Sequence, residues 1–158
     1  MAAAALLAVA VFSSLQPSAA YGSFVNVPLS AAECWSMGQD AAAAESADNQ
    51  DKLSETALAI VQSCDFDTLE DLIAYYNDHD LQLALLLGQG CAIVYTQESR
   101  CWFLKGTELI LASRYAEAEA ALGQALALSK SGDPRHKRIS DQLVTAHRSR
   151  RYSEIFGW

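Results

Sequence analysis

Residues Cys101 to Pro134 read CWFLKGTELILASRYAEAEAALGQALALSKSGDP. In the first half Trp102, Gly106, Leu109 and Ser113 fall on one face of a helix. In the second half Tyr115, Ala118, Leu122 and Ala125 fall on one face of another. Only Arg114 is left to join them, and so short a link folds two helices back as an antiparallel hairpin. Gly106 and Ala118 are small where the two faces meet, which permits close approach. Tyr115 opens the second helix and fills the space beside the turn.

Working outward, the same grammar holds. Gly and Pro are scarce at 8 and 3, Ala and Leu are abundant, and β-branched runs are missing, so an all-α chain is expected. Ser30-x-x-Glu33 and Asp67-x-x-Glu70 read as capping boxes, and Asp133-Pro134 as a capping acid before a first-turn proline. Helices are predicted at 31–47, 52–64, 68–77, 80–95, 98–113, 115–130 and 134–152, with polar turns at 47–51 and 77–80. The segment 80–95 is apolar nearly all round and belongs in the middle of a stack. The segment 134–152 has one thin apolar stripe, Ile139, Leu143 and Ala146, and suits a C-terminal capping helix. Residues 153–158 are expected as an aromatic tail.

The 34 residues from Cys101 resemble a tetratricopeptide repeat. Trp102, Gly106, Tyr115, Ala118 and Ala125 stand where that pattern places them, with Leu109 and Leu122 in place of its aromatics, Lys105 in place of a Leu, and Pro134 four residues late. Trp35 precedes Trp102 by 67 residues, close to two periods of 34, although its glycine is displaced and the pair 68–95 matches less well. The resemblance implies antiparallel hairpins stacked as a short right-handed solenoid over residues 21–152, about three hairpins and a cap. It also implies a concave groove that binds a protein or peptide.

The first twenty residues, MAAAALLAVAVFSSLQPSAA, carry an apolar run from Ala2 to Phe12 and small residues at Ser18 and Ala20. That pattern predicts a signal peptide cleaved near Ala20 and a periplasmic or extracellular protein, although no Lys or Arg precedes the run. In that setting Cys34, Cys64, Cys91 and Cys101 point to disulfides rather than free thiols. They allow three connectivities. Cys34 begins a helix whose antiparallel partner ends at Cys64, and Cys91 and Cys101 flank one link, so Cys34–Cys64 and Cys91–Cys101 are expected.

Net charge is −8 and uneven. Residues 21–129 hold sixteen acids against Lys52, Arg100, Lys105 and Arg114, whereas residues 130–158 hold seven bases against three acids. An acidic body does not favour nucleic acid as a partner. The basic end offers either a solvated face, a contact with its own body or weak contact with a membrane surface.

Catalytic signatures are missing from the sequence. His79, His136 and His147 are scattered, no CxxC occurs, and Gly88-x-Gly90 lies in an apolar segment where it serves close helix approach. No metal, cofactor or catalytic residue is assigned. The expected function is a non-catalytic protein-interaction module or scaffold; the alternative is a small-molecule binder or enzyme on a disulfide-stapled bundle. Tyr75, Tyr76, Tyr95, Arg148, Arg151 and Trp158 are the candidate partner-binding residues.

Overall fold

The computed structural model describes residues 28–157. The expected signal segment and Trp158 lie outside them. Seven α-helices and no strand occur among the described residues: α1 (Ala31–Ser46), α2 (Gln50–Ser63), α3 (Phe66–His79), α4 (Leu81–Val94), α5 (Ser99–Leu111), α6 (Tyr115–Leu128) and α7 (Pro134–Phe156).

Local chemistry sets most boundaries. The Ser30–Glu33 capping box forms in full: Glu33 donates its backbone N–H to Ser30 Oγ, and Ser30 N–H donates to Glu33 Oε2 at 2.8 Å. Asp133 caps α7 ahead of Pro134. The expected box at Asp67 and Glu70 does not form. Asp65 caps α3 instead, accepting from the N–H groups of Asp67 and Thr68, so the helix starts at Phe66. That earlier start sets the Phe66 ring 5.0 Å from Tyr95. The expected turn at 77–80 shrinks to one residue. His79 stays helical, its ring Nδ1 bonded at 2.7 Å to the Tyr75 carbonyl oxygen, and Asp80 both ends α3 and caps α4.

The turns of the first and third hairpins are built alike. Asp48 and Ser113 adopt φ of 53° and 58°. Asn49 N–H donates to Ala44 O and Asp48 N–H to Glu45 O; Arg114 N–H donates to Leu109 O and Ser113 N–H to Ile110 O. Both are left-handed helix ends that satisfy the same orphan carbonyls.

The helices pack as hairpins α1–α2, α3–α4 and α5–α6, with α7 closing the series against α6 and α5. The two halves differ in how hairpins meet. α1 lies on α3 and α2 on α4, so the first four helices close a ring, whereas α5 lies on α4 and α3. Two cores result. One gathers Leu53, Ile60, Leu72, Leu83 and Leu87 around the disulfides; the other gathers Leu85, Phe103, Leu109, Leu122 and Ile139. Trp102 packs against both. As its pattern predicts, α4 is buried on nearly every side, with Leu87 facing one core and Leu85 the other.

Gly106 explains the tight α5–α6 crossing. A methyl group there would lie 2.5 Å from Leu122 Cγ. Leu109, Ala118, Leu122 and Ala125 are buried along the same seam, with Tyr115 half-buried at its start. Gly88 lets α4 approach α5 to where a methyl would meet the Lys105 backbone at 3.3 Å. Cys34 is bonded to Cys64 and Cys91 to Cys101, with Cα separations of 6.0 and 5.1 Å. Two disulfides suit an oxidising, exported setting. No helix among the described residues is long and apolar enough to cross a membrane.

The C-terminal helix runs past the expected end at 152. Tyr152 to Phe156 form its last turn, and Gly157 ends it at φ 70°. Residues 153–156 are therefore helix rather than a separate tail, because Gly157 is the first residue suited to a left-handed stop.

Candidate functional site: an aromatic cleft between α1 and α3

The displaced glycine of the first hairpin positions this site. Gly38 is buried where α1 crosses α3, and a methyl group there would stand 3.0 Å from both Leu72 Cδ2 and the Tyr76 hydroxyl. In the third hairpin the glycine faces the partner helix of its own hairpin; here it faces the next hairpin. The close crossing turns Trp35, one turn earlier on α1, toward the α3 aromatics.

The rings make a continuous edge. Trp35 meets Tyr75 edge-on at 5.3 Å, Tyr75 meets Tyr76 edge-on at 5.1 Å, and His79 stacks on Tyr75 at 4.0 Å. Tyr75 and His79 stack because residues four apart on a helix are neighbours. Together with Gln39, Ala42, Ser46 and Asp80 these rings line a cleft of about 550 Å³. It is open along one side: Tyr75 is 44% exposed, and Gln39, Ser46 and His79 are exposed.

The far end of the cleft is acidic. Asp80 lines it, and Glu45 from the last turn of α1 abuts Asp80. Burial, then a hydrogen bond with Asp80 and repulsion from it, push the Glu45 carboxyl up to about 7. Glu45 Oε2 is buried without a hydrogen-bond partner. Asp80 commits Oδ1 to the N–H of Leu83 at 3.0 Å.

A second depression of about 360 Å³ lies between α5 and α6, lined by Trp102, Lys105, Glu117, Ala120, Ala121 and Gln124. Its two charged groups are already engaged. The Lys105 ammonium lies 5.1 Å from the Trp102 ring centre, and Glu117 holds Arg114 at 2.7 Å. Trp102 also donates its indole N–H to the Thr96 carbonyl at 2.8 Å, which ties the α4–α5 link to α5.

The candidate partner-binding residues separate accordingly. Tyr75 and Tyr76 line the cleft, Tyr75 at the surface and Tyr76 buried behind it. Tyr95 is elsewhere, half-buried against Phe66 and donating its hydroxyl to the Val61 carbonyl at 3.2 Å. Arg148 and Arg151 are exposed on α7, while Arg150 of the same turn pairs with Glu119 at 3.2 Å. Trp35, His79, Glu45 and Asp80 join the site in addition to the residues expected to bind a partner. The i, i+4 spacing of Tyr75 and His79 was a legible signal; nothing in the sequence joins Glu45 to Asp80. Among the described residues, no group of three or more His, Cys, Asp or Glu is placed to hold a metal ion.

Comparison with known proteins finds no matching family model, no matching curated protein and no matching solved structure. What stands is the fold class, a series of packed helical hairpins stapled by two disulfides.

Proposed function

We propose that this protein is an exported, non-catalytic module of tetratricopeptide-repeat type that docks a segment of a partner protein in the cleft between α1 and α3. The observation that carries the reading is the open aromatic edge of Trp35, Tyr75 and His79, because aromatic side chains that are only partly covered dominate binding surfaces. The repeat reading draws support from the Gly106–Leu122 contact and from the matched turns at Asp48 and Ser113. Export draws support from the disulfides and from the leader-like first twenty residues. The alternative, a small-molecule binder or enzyme, calls for an enclosed apolar cavity, and the cleft is open on one side.

The test places a photo-cross-linker at Gln39, which lines the cleft and is exposed, in the mature protein in its own cell envelope. One stoichiometric protein adduct is expected, and Tyr75→Ala is expected to abolish it while leaving the thermal melt in place. An adduct that survives Tyr75→Ala, or a protein that cross-links to nothing, overturns the reading.

A further inference from the structure

We infer that the α1–α3 cleft takes a cationic side chain, a guanidinium or ammonium, presented by the docking segment. This rests on the reading of the cleft as a docking site and names the chemistry it selects.

The walls favour a cation. Trp35, Tyr75 and Tyr76 line the cleft, with His79 stacked on one face of Tyr75, and an aromatic face left uncovered attracts positive charge. The end of the cleft favours one too. Asp80 lines it with Glu45 against it, and among the described residues no Lys or Arg lines the cleft.

Three other acids of the body are held by its own arginines. Arg100 of α5 holds Asp67 and Glu70 at 2.8 and 2.7 Å, and Arg114 holds Glu117 at 2.7 Å. Lys105 lies over Trp102, and Lys52 is exposed on α2. These four are all the lysines and arginines between residues 21 and 129, and none pairs with Glu45 or Asp80; the imidazole of His79, which also lines the cleft, turns its Nδ1 to the Tyr75 carbonyl oxygen. Glu45 Oε2 is buried, and burial together with the neighbouring Asp80 carboxyl favours the protonated form of Glu45. A guanidinium or ammonium entering between the rings would neutralise that end in the proton's place and would form charge-assisted hydrogen bonds to Asp80. An apolar side chain would satisfy the rings and leave the acids as they are.

The experiment uses two labelled pentapeptides, one with a single central arginine and one with citrulline, its uncharged isostere. Each is titrated by fluorescence anisotropy into the mature protein and its Asp80→Asn, Glu45→Gln and Tyr75→Ala variants. The arginine peptide is expected to bind at least about ten-fold more tightly than the citrulline peptide. Asp80→Asn is expected to erase that preference while keeping the helix cap, since Asn caps as well as Asp, and thermal melts check that it folds. Glu45→Gln is expected to reduce the preference, and Tyr75→Ala to weaken both peptides.

Equal binding of the two peptides, a preference that survives Asp80→Asn, or no binding of the arginine peptide up to millimolar concentration each overturns the inference. The Gln39 cross-link separates this failure from failure of the docking reading. If the adduct depends on Tyr75 but is unchanged in Asp80→Asn, docking stands and the cationic assignment falls. If the adduct is independent of both residues, both fall.

Discussion

At the scale of single residues, three positions carry sharp consequences. Gly106 has no room for a side chain against Leu122. Gly106→Ala is therefore expected to lower stability by about 1–3 kcal/mol through overpacking, read as a shift in the urea midpoint at constant slope. Ser113 holds a left-handed conformation that costs a residue with a side chain roughly 1 kcal/mol, and Ser113→Gly should raise stability by about that amount, read as a higher urea midpoint at constant slope. Glu108 is 1% exposed, and burial pushes its carboxyl up to about 7, with the Asn77 amide bond pulling weakly the other way.

The sign for Glu108 follows from linkage. Unfolded, the group loses its proton near 4.5; folded, it keeps it until about 7. Its contribution is thus fully present below pH 4.5 and is lost as pH rises toward 7, by roughly 3 kcal/mol. Glu108→Gln should flatten that part of the stability profile and leave the protein more stable than wild type at pH 7.5. Urea unfolding at pH 5 and pH 7.5 measures both, and an unchanged slope of stability with pH would count against the buried-acid account.

At the scale of elements, the two disulfides join helices that already neighbour each other. They close loops of 30 and 10 residues, worth roughly 3 kcal/mol each in the chain-entropy view. Intact mass under non-reducing conditions should be four hydrogens lighter than the reduced chain, and reduction should lower the melting temperature. The last helix divides into two parts. Ile139 and Ala146 are buried against α5 and α6, whereas Tyr152, Ile155 and Phe156 are 63–66% exposed. Ile139→Ala is expected to cost about 2–5 kcal/mol. Removing residues 152–158 should change stability far less, because the exposed turn contributes little burial; a comparable loss would show that this turn packs on the body.

At the scale of the whole molecule, one feature divides the chain. The third hairpin and its cap obey the spacing read from Cys101 to Pro134, and their core follows directly from that spacing. The first two hairpins obey the same helix grammar but join differently, α1 onto α3 and α2 onto α4. Gly38 stands at that difference. Because it serves the α1–α3 crossing, Trp35 becomes a cleft wall, whereas Trp102 packs between the two cores and ties down the α4–α5 link.

Helical periodicity, capping residues and link lengths sufficed for the all-α class, the hairpins, the place of α4 and the cysteine pairing. These depend on contacts within an element or across a short turn, and the covalent chain enforces them. The tertiary structure alone decided that Asp67 and Glu70 hold Arg100 rather than cap a helix, and that Glu45 meets Asp80 beside the aromatic cleft. Such meetings join side chains some 30 residues apart, and they depend on where one helix crosses another. A periodic pattern says which face of a helix is buried, but not which residues of a distant helix will share that volume.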